Sequence, residues 1–156
     1  MVRSMSPDTY KRVWPLMKTL YHIVAILILS VSLYAFFSLT DLFYTHSLAD
    51  LLLNVDFIPV FEYANFCFKF IFHIIFTTLI YVVFQGIRDS YVYPAGILII
   101  IVLFAVIYLS LINWSVNPKY QFYWSDYFVW MFGHTIFIFL VAFILRFEKY
   151  FWYQKR

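Results

Sequence analysis

Six side chains recur every three or four residues along one stretch of this chain: Lys69, His73, Thr77, Tyr81, Gln85 and Arg88. At the helical step of about 100° per residue they share an arc of about 160°. Phe68, Phe72, Ile75, Leu79, Val82 and Val83 fall on the opposite side. The chemistry open to such a face is proton exchange. Imidazole titrates near neutrality, and hydroxyls and amides can pass hydrogen bonds along a helix. A second set is His134 with Thr135, and a third is His22, Ser30, Tyr34 and Ser38 on one arc, with Ser32 off it. His73 lies one helical turn from Lys69, and His134 about two turns from Asp126. Helical spacing thus puts His73 and His134 at similar depth, and Lys69, His73, Thr77, His134 and Thr135 are the candidate polar cluster. Two readings are open. In one, Lys69 snorkels to the surface and each imidazole bonds a neighbouring hydroxyl or carbonyl. In the other, the cluster senses pH or lines a water-filled path.

Other chemistry lacks its residues. Two histidines on different stretches do not close a metal site, and no nearby Cys or carboxylate supplies the rest of a roughly four-coordinate shell. His46, Asp50, Asp56 and Glu62 share a loop, but at spacings that match no ligand pattern. The lone Cys67 excludes an internal disulfide and a C-x-x-C redox pair. There is no phosphate-binding glycine loop, no G-x-S-x-G and no H-E-x-x-H. The expectation is a non-enzyme without metal or cofactor.

These residues sit in elements of a particular kind. Four stretches carry no charge: Thr19–Thr40, Phe70–Ile87, Ser90–Pro118 and Tyr127–Leu145. Each has at least 18 residues, the length an α-helix needs to cross about 30 Å of hydrocarbon. The chain is 65% hydrophobic and 12% charged, with a mean hydropathy of +0.84. Soluble domains are about half apolar and about a quarter charged. Runs such as Ile97–Phe104 are continuously apolar, which argues against the alternating strands of a membrane barrel. Helices satisfy their own backbone in lipid. The expected fold is an all-α integral membrane protein, a single four-helix domain with helices at about 16–39, 65–87, 95–114 and 126–147. No Asp or Glu falls within the four uncharged stretches, so proton pumping through carboxylates loses its usual residues.

Orientation follows from basic residues. With the N-terminus inside, Arg3, Lys11, Arg12, Lys18, Arg88, Arg146, Lys149, Lys155 and Arg156 lie inside and only Lys69 and Lys119 outside. Nine against two is a strong positive-inside bias and places both termini in the cytoplasm. The basic flanks account for the net charge of +3, and nucleic-acid binding is not indicated. The first apolar stretch exceeds a signal-peptide core and reads as a retained anchor. Ser6-Pro7-Asp8 is a helix start, with a short interfacial helix to Trp14 and a bend at Pro15. In the outer connection, Ser47-Leu-Ala-Asp50 resembles a capping box. It opens a short amphipathic helix expected to lie on the outer surface. Beyond helix four an exposed helix is expected through Lys155.

Aromatic residues make up 25% of the chain. Tyr120, Phe122, Tyr123, Trp124, Tyr127 and Trp130 form one expected headgroup belt. Tyr10, Trp14, Tyr21, Tyr91, Tyr93, Tyr150, Trp152 and Tyr153 form the other. The functional expectation is a non-enzymatic membrane subunit that works through partners as an anchor, sensor or immunity-type component. Its partners are the lipid bilayer and either copies of itself or another protein. An oligomeric channel or small transporter lined by the first two polar faces is the alternative, and an accessory subunit of a respiratory membrane complex a second. The residue usage suits an AT-rich gene, as in bacterial defence loci. The bacterial cytoplasmic membrane is therefore the expected location, with an organellar inner membrane as the alternative.

Overall fold

The computed structural model describes residues 7–43, 47–61 and 63–153, with side chains from Trp14 to Tyr150 within those limits. Ser6, His46, Glu62, Lys155 and Arg156 lie outside the described residues, as do the side chains of Lys11, Arg12, Trp152 and Tyr153. Five α-helices follow in order: α1 (Pro7–Thr40), α2 (Leu48–Leu52), α3 (Phe66–Ile87), α4 (Tyr93–Trp114) and α5 (Trp124–Tyr153). A 3-10 turn at Pro59–Phe61 precedes α3. The four long helices are each long and apolar enough to cross a membrane. They form a ring in which α1 packs on α3 and α5, and α4 packs on α5 and α3.

The expected bend at Pro15 does not divide the first helix, which runs through it. Proline removes one N–H and so frees the carbonyl four residues back. Here that vacancy falls near the helix end, where it is least costly. Asn65 caps α3 by accepting from the Phe68 N–H at 3.0 Å.

Heptad-like stripes make the core. Ala25, Leu29, Leu33 and Phe37 descend α1 at four-residue intervals and are all buried. Trp130, His134, Phe137, Val141 and Leu145 are likewise buried along α5 at three- or four-residue intervals. Trp130 is 1% exposed. Its ring stacks on Phe37 at 5.3 Å, and its Nε1 donates to the Phe104 carbonyl at 3.0 Å. It therefore leaves the expected headgroup belt for the interior, because its polar handle finds a partner there. Gly133 lets α1 and α5 approach: a Cβ on it would meet Phe36 Cε1 at 2.6 Å and Phe37 Cζ at 2.9 Å.

The opposite faces are apolar and exposed, for example Ile71, Ile75 and Leu79 on α3, Leu98, Ile99 and Val102 on α4, and Phe128, Phe132 and Phe139 on α5. Surfaces of this kind meet lipid acyl chains rather than water.

α2 turns its apolar side inward: Leu48, Ala49 and Leu51 are buried against the bundle. Ser47 makes no side-chain cap to it. Asp41 does that work from seven residues upstream, accepting from the N–H groups of Leu48 (2.7 Å) and Ala49 (2.9 Å). A carboxylate also suits the positive pole of a helix start.

Candidate functional site

Hydrogen bonds define two ends of the bundle. Tyr21 to the Ile144 carbonyl (2.9 Å) and Lys149 to Asp89 (2.6 Å) join α1, α5 and the α3–α4 turn at one end, here the terminal end. Asn54 to Ser115 (3.1 Å) and Lys119 to Asp50 (2.9 Å) join the connections at the other, the loop end.

The polar faces of α1 and α3 meet. His73 is buried, and its Nε2 lies 3.2 Å from the Ser30 carbonyl, so that nitrogen carries the proton. The Ser30 hydroxyl beside it is fully buried and has no hydrogen-bond partner among the described residues. Thr77 is buried one turn further along α3. Tyr34 sets its ring edge against Phe66 and Phe70, and Ser38 is half-buried.

On α5, His134 is buried with Nδ1 2.8 Å from the Trp130 carbonyl. Its ring lies among Phe104 (4.0 Å), Trp130 (4.3 Å) and Phe37 (5.4 Å). Thr135 donates to the Met131 carbonyl of its own helix at 2.8 Å. Lys69 sits a turn away on the wall of a loop-end cavity.

The terminal end holds the densest chemistry, and it centres on a residue the sequence reading passed over. Glu148 is 2% exposed, whereas Arg146, Phe147, Lys149 and Tyr150 around it on the last helix are exposed. It also lies within the apolar span Trp124–Tyr150, so a carboxylate does occur inside a spanning helix. Arg88 Nη1 bonds its Oε2 and reaches the Leu145 carbonyl at 3.4 Å. Lys18 Nζ stands 3.7 Å and His22 Nε2 3.6 Å from its Oε1.

His22 links this ion pair to α3. Its Nδ1 is 2.9 Å from the Tyr81 hydroxyl, and its Nε2 is 3.2 Å from Gln85 Nε2. An amide nitrogen only donates, so Nε2 accepts from Gln85 and Nδ1–H donates to Tyr81 when the imidazole is neutral. A second proton on Nε2 would displace that amide and turn toward Glu148. Tyr81, Gln85 and Glu148 thus surround the two nitrogens of His22.

Outside the spans, Asp89 is exposed. Its bond to Lys149, with smaller help from Arg88, holds its carboxyl below the usual range. Arg146 is exposed on the same end.

Part of this was open to the sequence. Glu148 follows Trp130 by 18 residues, about five helical turns, which places it on the stripe of Val141 and Leu145. Its basic partners lie far off in the chain, and only the fold brings them together. No known protein family, curated protein or solved structure matches this chain.

Proposed function

We propose that this chain is a non-catalytic multi-pass membrane subunit. It lies with both termini in the cytoplasm and acts through partner proteins as an anchor, sensor or immunity-type component. One observation supports this reading above others: the polar groups inside the spans bond mainly to one another. Glu148 is held by Arg88, His73 of α3 by the Ser30 carbonyl of α1, and His22 of α1 by the Tyr81 hydroxyl of α3. Groups engaged in this way fasten helices together rather than wait for a substrate. The excess of basic residues at the terminal end favours the cytoplasmic side for it. A bacterial cytoplasmic membrane fits best.

Native mass spectrometry of the protein extracted from its own membrane in mild detergent tests this. A complex with a second polypeptide is expected and would name the partner. A closed ring of copies alone would overturn the subunit reading in favour of a channel.

The Ser30 hydroxyl favours a second reading. A buried hydroxyl without a partner among the described residues, beside His73, is the kind of place where a water molecule completes a proton path between α1 and α3. Proton flux into liposomes that is lost in the double variant His73→Gln, His134→Gln would support it. Absence of flux in the native protein would exclude it.

A further inference from the structure

The loop end encloses a cavity of about 450 Å³, within the size range of small-molecule sites. Four charged residues line it: Asp50, Asp56, Lys69 and Lys119. Lys119 and Asp50 neutralise each other at 2.9 Å. The other two have no ionic partner among the described residues.

Asp56 is a buried carboxylate held only by neutral donors. Asn54 Nδ2 donates to it at 2.9 Å, Ser115 Oγ at 2.7 Å and the Asn117 N–H at 3.3 Å. A carboxylate offers about four lone-pair sites, so it can accept more. Lys69 is half-buried, and its ammonium makes no hydrogen bond or ion pair among the described residues. One unpaired anion and one unpaired cation therefore line the same enclosed space. Tyr63 and Phe66 add aromatic surface to its wall. The cavity adjoins the ends of the spans at Phe66 and Trp114, at the depth of lipid headgroups.

We infer that this cavity binds a small zwitterion, with its ammonium on Asp56, its anionic oxygen group on Lys69 and any apolar part over Phe66 and Tyr63. A ligand with one charge would leave the other wall charge desolvated and alone, which is unfavourable. A zwitterion pairs both without changing the net charge of the site. Two sources carry this chemistry: the headgroup of an ethanolamine phospholipid, and a free amino acid. The site goes beyond the subunit role and does not depend on it.

The test is thermal unfolding of the purified full chain in mild detergent. The zwitterionic probes are glycerophosphoethanolamine, L-leucine and dioleoyl phosphatidylethanolamine. The single-charge controls are ethanolamine, glycerol phosphate and dioleoyl phosphatidylglycerol. At saturation at least one zwitterion is expected to raise Tm by about 5 °C, with no rise from any control. A response to the phospholipid or its headgroup assigns a lipid site, and a response to leucine alone assigns a soluble ligand. Lys69→Gln removes no side-chain hydrogen bond or ion pair among the described residues, so its basal Tm should change little while zwitterion binding weakens about tenfold or more. Lys69→Arg retains binding. The inference is overturned if no zwitterion moves Tm, if a single-charge control moves it as far, or if Lys69→Gln responds like the native protein.

Discussion

Replacing Arg88 by Met should destabilise the bundle more than any change to Glu148 itself. Glu148 is 2% exposed, whereas Arg88 is 22% exposed and Lys18 48%. Unit charges about 4 Å apart interact by about 4 kcal/mol at an effective dielectric of about 20. Without Arg88 the carboxylate keeps only Lys18, half in solvent, and His22. Breaking a buried pair from the better-solvated side costs about 3–5 kcal/mol. Lys18 offsets part of this, so about 3 kcal/mol is expected for Arg88→Met. Glu148→Met leaves Arg88 near water and 3.5 Å from Asp89, at a cost of about 1 kcal/mol. The double variant should cost no more than about 2 kcal/mol, a coupling of about 2 kcal/mol. Thermal unfolding in mild detergent, followed by tryptophan fluorescence, reads these as Tm decreases. About 6–12 °C is expected for Arg88→Met and about 2–4 °C for Glu148→Met. If the two single variants cost the same and add in the double, the two side chains are not a buried pair and the reasoning fails.

Gly133→Ala should lower stability by about 1–3 kcal/mol, since its Cβ would collide with the Phe36 and Phe37 rings. Gly86→Ala meets nothing within 4 Å and should be neutral or stabilising by about 0.5–1 kcal/mol, and a reversal of that order in thermal unfolding would refute the packing described. Asp41→Ala removes the cap of α2 and should cost about 1 kcal/mol, with faster hydrogen exchange at the Leu48 and Ala49 amides; unchanged exchange would place the cap elsewhere. The Asp50–Lys119 pair is pH-dependent at both limits. Burial opposes the charge on Asp50, but Lys119 and Ser47 outweigh it and hold the carboxyl below its ordinary value. Burial likewise opposes the charge on Lys119, and Asp50 holds the ammonium above its ordinary value. The carboxylate stabilises above its unfolded pKa of about 3.9 and loses this as pH falls; the ammonium stabilises below about 10.4 and loses this as pH rises. Lys119→Met should therefore cost about 0.5 kcal/mol at neutral pH, and less at both extremes in a pH series of unfolding midpoints.

The long helices were legible because lipid demands uninterrupted apolar length, and no residue outside each stretch is needed to see it. The cap at Asn65 is equally local, but the sequence reading gives that position only as the start of a helix. What escaped depended on partners distant in the chain. Trp130 reads as a headgroup anchor by type, and only the Phe104 carbonyl and the Phe37 ring explain its burial. Ser47 looks like the cap of α2 by spacing, yet Asp41 reaches the same amides from across the loop. Glu148 looks like one charge in a basic, solvated tail. The core stripe of α5 continues through it because Arg88, Lys18 and His22 supply what the local sequence lacks. Lys69 and His73 were paired by helical spacing, but the fold aims one at a cavity and the other at α1.

Arg88 and Glu148 are 60 residues apart, so they do not leave the ribosome together. At about 5–20 residues per second, the cation waits about 3–12 s for its counter-charge. During that interval α1, α3 and α4 have been made, while Lys18, His22 and Arg88 face the membrane boundary without the carboxylate that unites them. The last helix therefore acts as a bolt. α1 and the α3–α4 turn gain their shared counter-charge only when Glu148 on α5 has been made.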